Sequence, residues 1–187
     1  GLQSAARVWW ELRVNGYDKV FVLDGGLKKW LAEGRPVEAG EVSPTPVAVA
    51  PRFDGALVRN IEDVRALISD GAARLVDARS AGRFSGELPE PRAGLRSGHM
   101  PGAANMPFDR LVAPDGTLLP ADEIRRAFEE ATVDLAHPIV TTCGSGVTAS
   151  VLALALARIG LGQVAVYDGS WTEWGGREDT EVVIGPR

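Results

Sequence analysis

The run from Ala149 to Ile159 constrains this chain more than any other stretch. Ala-Ser-Val-Leu-Ala-Leu-Ala-Leu-Ala-Arg-Ile contains no turn former and is apolar on nearly every side of a helix. A surface helix carries one apolar stripe, so a helix apolar all round has to be covered by neighbours. Just before it, Ile139-Val140-Thr141-Thr142 is rich in β-branched residues and reads as a strand. Cys143-Gly144-Ser145-Gly146-Val147-Thr148 joins the two as a tight loop. The only cysteine of the chain therefore sits at the carboxyl end of a strand and in front of a helix N-terminus. Unpaired backbone N–H groups and the helix dipole favour negative charge there, and the natural occupant is a thiolate, a nucleophile or sulfur carrier. An ordinary buried cysteine is the competing reading.

The rest of the chain supplies more strands and helices in alternation. Ser4 to Asn15 is expected to be a helix with Val8, Trp9 and Leu12 on one side, Lys19 to Leu23 a strand, and Leu27 to Glu33 a short helix stopped by Gly34 and Pro36. Residues 37–52, with Pro44, Pro46 and Pro51, read as a linker. Asn60 is placed to cap a helix bearing Ile61, Val64, Leu67 and Ile68 on one face, with Asp63 in the capping-box position. Strands are expected at Arg74 to Ala78, near Ala103 to Met106 and at Gln163 to Tyr167, and a helix at Ala121 to Ala131 after Pro120. Such alternation implies an α/β fold, a parallel sheet with helices on both faces, in which ligands bind beyond the carboxyl ends of the strands.

Composition narrows the function. At 187 residues and 45% apolar the chain can bury one good core with an appendage. A net charge of −5 argues against nucleic acid, and the longest apolar stretch, Val147 to Ile159, is too short to span a bilayer. One cysteine and two histidines, His99 and His137, leave no disulfide and too few ligands for a Cys-based zinc site, so no metal and no cofactor is expected. A reducing, cytoplasmic compartment fits. Against this acidic background, the segment from Arg79 to Gly98 holds four arginines and two glutamates, which suggests a small anion as ligand.

A partial repeat relates the two ends. Lys19 to Trp30 aligns with Gln163 to Trp174, matching valines, Asp-Gly and the final tryptophan, and Leu12 and Gly16 fall over Leu156 and Gly160. Residues 1 to 36 thus read as the last helix, strand and helix of a unit whose front portion is missing. Such a segment must pack on the complete copy, pair with a companion chain, or reflect truncation.

Several separated motifs carry a resemblance. Cys143 to Ala149 resembles the active-site loop of the 3-mercaptopyruvate sulfurtransferases within the tandem-domain rhodanese family. Ser97-Gly98-His99-Met100-Pro101-Gly102-Ala103 and Asp168-Gly169-Ser170-Trp171-Thr172-Glu173-Trp174-Gly175 are similar to two further family elements, and Arg83 and Arg92 fall in matching contexts. The resemblance implies a rhodanese-like fold, with residues 1–36 the C-terminal remnant of an N-terminal rhodanese-like domain and 53–187 the catalytic one.

It also implies a mechanism. Cys143 takes sulfur from 3-mercaptopyruvate, forms a persulfide, and yields the outer sulfur to a thiol such as thioredoxin or a low-molecular-weight thiol, or to cyanide in vitro. Ser145 would relay a proton to the leaving enolate; Arg83 and Arg92 would grip the substrate; the backbone N–H groups of Gly144, Gly146, Val147 and Thr148 would stabilise the anionic sulfur. Thiosulfate-preferring relatives typically carry basic residues directly after the cysteine. Gly144 and Ser145 stand there instead, which suits a singly charged keto acid. Asp77 and Arg79 match a motif expected to form a buried pair, and His99 is expected to fix a turn.

Three alternatives stand beside this. A thiosulfate sulfurtransferase would share the chemistry, and a non-catalytic rhodanese module would bind a partner only. A phosphatase on the same fold would need Cys-x5-Arg, and Ala149 occupies the arginine position.

Overall fold

The computed structural model describes residues 1–186; Arg187, the last residue of the expected catalytic domain, lies outside them. A five-stranded parallel sheet runs in the order β1-β5-β4-β2-β3, where β1 is Val58–Arg59, β2 Arg74–Asp77, β3 Ala104–Asn105, β4 Ile139–Thr142 and β5 Ala165–Tyr167. The period-two alternation of each strand divides the interior into two cores. Val76, Ile139 and Val166 face one core; Leu75, Val140, Ala165 and Tyr167 face the other.

The first core is roofed by α1 (Leu2–Val14), α5 (Ala121–Glu130) and α6 (Ala149–Arg158), the second by α3 (Ile61–Asp70), α4 (Ala81–Ser85) and α7 (Ser170–Trp174). Helices on both faces are the architecture expected for the alternating pattern. The helix α2 (Gly26–Ala32) lies outside, with no buried residue.

The apolar circumference of α6 has a direct cause. One side meets the sheet, and α1 and α5 cover others, so Leu152, Ala155 and Leu156 are fully buried. The helix of the first segment therefore packs on the second. Its buried face is not Val8, Trp9 and Leu12 but Ala6, Trp9, Trp10 and Val14, spaced i, i+3, i+4 and i+8, while Val8 and Leu12 face solvent. The Trp10 indole N–H donates to the Leu57 carbonyl at 3.1 Å, and the guanidinium of Arg7 lies 4.6 Å from the Trp10 ring.

Most expected elements stand within a residue or two of their limits. The capping box is present: Asn60 Oδ1 accepts the Asp63 N–H and Asp63 Oδ2 accepts the Asn60 N–H, both at 2.9 Å, and Gly71 closes the helix in the left-handed region at φ 68°. The expected strand at Lys19 to Leu23 is not formed. Its Val20 and Val22 are half-buried against the first core and Phe21 is 89% exposed, but no other strand runs beside it. An extended segment with the right alternation becomes a strand only when a neighbour accepts its hydrogen bonds. Residues 37–52 hold neither helix nor strand and are exposed throughout.

Candidate active site

The strand β4 is buried along its whole length, and Cys143 follows its last residue, Thr142. The loop that follows is fastened from behind by the first turn of α7. The Trp171 N–H donates to the Cys143 carbonyl, and the Thr172 N–H to the Gly144 carbonyl, each at 2.9 Å. The Ser170 hydroxyl accepts the Cys143 N–H at 3.2 Å and donates to the Tyr167 carbonyl at 2.8 Å. With these carbonyls tied to α7, the Ser145 N–H donates to Cys143 Sγ at 3.4 Å.

Cys143 forms the floor of a cleft of about 340 Å³. Only 1% of the residue meets solvent, and it packs in the first core while also lining the cleft. Gly144, Ser145, Val147, Thr148, Arg83 and Arg92 share that cleft, as the sequence reading expected them to be grouped. Gly146 does not line it. It lies behind, at φ 79°, where a Cβ would come within 2.7 Å of Arg7 Nη1 and 2.9 Å of Asp168 Oδ1. Its contribution is the turn itself, which only glycine makes in that space.

The four arginines of the 79–98 segment divide by role. Arg79 is fully buried, chelated by Asp77 at 2.7 to 3.2 Å, bonded to Glu90 and to the Gly98 carbonyl, and stacked 4.2 Å from the Trp171 ring centroid. Arg96 is spent on the backbone carbonyls of Trp174, Gly175, Arg177 and Thr180. That leaves two for a ligand. Arg83 donates through Nε and Nη2 to Glu90, with Nη1 free of that pairing; Arg92 Nη1 donates to Thr172 Oγ1 at 2.7 Å.

His99 stands away from the sulfur. Its ring stacks on Phe84 at 3.8 Å and its Nδ1 donates to the Phe84 carbonyl at 2.9 Å, while its backbone pairs with Val183. Burial holds its pKa below the ordinary value, against the opposing pull of that hydrogen bond. Its ring ties this segment to α4, where the sequence suggested that it would fix a turn.

Three polar cleft residues escaped the sequence reading, Gln3, Glu90 and Thr172, and Pro91 and Leu95 complete the lining. Glu90 stood in a motif with Arg92, between two prolines, yet was counted only against the segment's charge. Thr172 stood inside a recognised element with no chemistry attached to it. Gln3 comes from α1, so the first segment reaches the rim of the site. Among the described residues, no group of three His, Cys, Asp or Glu side chains is placed to hold a metal ion.

Residues 60–177 match the family model for the rhodanese-like domain. The chain is 43% identical over 184 residues to human 3-mercaptopyruvate sulfurtransferase, covering 98% of this chain and 62% of the relative. It is 44% identical over 171 residues to a thiosulfate sulfurtransferase of Cricetulus griseus, covering 91% of this chain and 58% of the relative. Among solved structures, SseA from Escherichia coli superposes with a TM-score of 0.78 at 40% identity, over 91% of this chain and 63% of that one. The chain thus spans less than two thirds of the length of each of these relatives. The parallel sheet with helices on both faces agrees with the match, and this chain belongs to the rhodanese family.

Proposed function

We propose that this chain is a sulfurtransferase that takes sulfur from 3-mercaptopyruvate as a persulfide on Cys143 and passes it to a thiol. One observation carries the reading: Cys143 Sγ receives the Ser145 amide at the floor of a cleft whose walls hold Arg83 and Arg92. The thiolate attacks the substrate sulfur, an S–S bond forms, and the C–S bond breaks with its electron pair passing to the pyruvate enolate. The substrate's S–H proton stays on the persulfide, and the enolate carbon takes a proton to give pyruvate. Ser145 is placed in the cleft to relay that proton. Arg83 and Arg92 bind the carboxylate and keto oxygen of the donor. The Ser145 amide, with those of Gly144, Val147 and Thr148 in the same cleft, holds the anionic sulfur. An acceptor thiolate then attacks the outer sulfur, and Cys143 leaves as thiolate. Thioredoxin and low-molecular-weight thiols are the acceptor classes that fit, and a reducing compartment such as the cytoplasm suits a free thiol.

Residues 1–36 we assign to the end of a first rhodanese-like unit, 37–52 to a linker and 53–187 to the cysteine-bearing unit. The internal repeat supports this, as do reciprocal ion pairs: Arg7 of α1 meets Asp168 after β5, and Arg158 of α6 meets Asp24 at the matching point of the first segment. The exposed Phe21, Leu23, Leu27 and Leu31 support a companion for that unit, on the same polypeptide or another.

Incubation with 3-mercaptopyruvate is expected to add the mass of one sulfur atom to the peptide holding Cys143, and Cys143→Ser to accept none. Persistent absence of that mass from the folded chain would refute the reading. A second reading, thiosulfate as donor, is favoured by the similarity to the Cricetulus griseus protein. Equal loading from both donors would support it.

A further inference from the structure

Glu90 is the one acidic side chain that lines the Cys143 cleft among the described residues, and the transfer outlined above makes no use of it. Only 1% of its side chain is exposed. Oε1 accepts from Arg79 Nη1 at 2.9 Å and from Arg83 Nε at 3.1 Å, and Oε2 from Arg83 Nη2 at 2.6 Å. The charge of Arg79 is already answered by Asp77, which takes donors from both its Nε and its Nη2. The negative charge of Glu90 therefore acts chiefly on Arg83, whose guanidinium is the partner that faces the cleft, 27% exposed.

We propose that Glu90 sets the charge preference for the sulfur donor, an inference that rests on the sulfur-transfer reading above. Apart from the Cys143 sulfur, two guanidiniums, Arg83 and Arg92, and one carboxylate leave the cleft wall with a single net positive charge. A keto acid with one carboxylate is matched by it. A dianion such as thiosulfate is left with one negative charge unanswered in a site less polar than water, which is costly. Glu90 acts a second way through geometry. It holds Arg83 so that Nη2 lies 3.0 Å from where a Cβ on residue 144 would sit, so a side chain at the position after the cysteine, and hence an added cation, would have to displace that guanidinium from Glu90.

The test compares the rate at which Cys143 takes up sulfur from thiosulfate and from 3-mercaptopyruvate, read by mass, in the parent chain and in Glu90→Gln and Glu90→Asp. Removing the carboxylate charge is expected to raise the thiosulfate-to-mercaptopyruvate ratio about tenfold, one unit of charge acting on a donor with one charge more. That shift should shrink as salt is added. Glu90→Asp keeps the charge and should leave the ratio within about twofold even where both rates fall. If Glu90→Gln does not fold, Glu90→Met supplies the neutral side chain, with the same shift expected. A Glu90 that merely props Arg83 would lower both donors alike in every variant, and an unmoved ratio overturns the proposal. A parent chain that loads no sulfur from either donor overturns the underlying reading as well, so the two failures are distinct.

Discussion

Replacing Thr172 with valine removes one hydroxyl from the cleft and little else. Oγ1 donates to the Gly144 carbonyl at 2.6 Å and accepts from Arg92 Nη1 at 2.7 Å. The Thr172 N–H donates to the same carbonyl at 2.9 Å, so Gly144 keeps a partner and the cysteine loop keeps its fastening. What disappears is the anchor of Arg92. A sheltered hydrogen bond to a charged group contributes roughly 1.5–3 kcal/mol, and exposure of Arg92 reduces that to about 1 kcal/mol. At 1.4 kcal/mol for each factor of ten, donor binding should weaken about fivefold. The half-saturating concentration of 3-mercaptopyruvate for loading Cys143 is therefore expected to rise by that factor, with the maximal rate within about twofold of the parent. Thr172→Ser, which retains the hydroxyl, should resemble the parent. In an Arg92→Ala background the valine substitution should add nothing, because the two changes remove the same interaction. The reasoning fails if the valine variant is equally impaired without Arg92, or if it loses maximal rate at unchanged half-saturation.

Two further outcomes follow from buried groups. Arg79→Ala leaves the carboxylates of Asp77 and Glu90, each with a side chain 1% exposed, without their shared cation. A loss of about 3–5 kcal/mol is expected in urea unfolding, and a loss below about 1 kcal/mol would count against the pairing. His99 links stability to pH. Because its folded pKa is depressed by burial, the unfolded chain binds more protons between that value and the ordinary one of about 6.5. Its contribution is complete above about pH 6.5 and is lost as pH falls through the folded value. Thermal unfolding from pH 7 to pH 5 should show a steeper decline for the parent than for His99→Gln, and identical profiles would remove His99 as the cause.

The correspondence between pattern and fold is uneven for identifiable reasons. The buried strands β2 and β4, the all-apolar α6 and the Asn60–Asp63 cap were legible because each depends on residues a few positions apart. The segment 19–23 has the alternation of a strand, but pairing is made with a distant neighbour that local pattern cannot supply. The rotation of α1 was misjudged for a similar cause: Val8, Trp9 and Leu12 form one plausible face, and contact with α6 selected Ala6, Trp9, Trp10 and Val14 instead.

The site divides along the same line. Covalent order alone places Cys143 after a strand, before a helix and inside a glycine-bearing loop, so the position of the sulfur and the α/β architecture could be read directly from the residues. Charges along a chain, however, do not say which of them will meet. Folding took four arginines of one segment, buried Arg79 with Asp77, committed Arg96 to carbonyls, and left Arg83 and Arg92 to the cleft. Glu90 joined them from the same segment, and Thr172 and Gln3 from distant parts of the sequence. Those assignments follow from distance and desolvation, which exist only once the chain is packed.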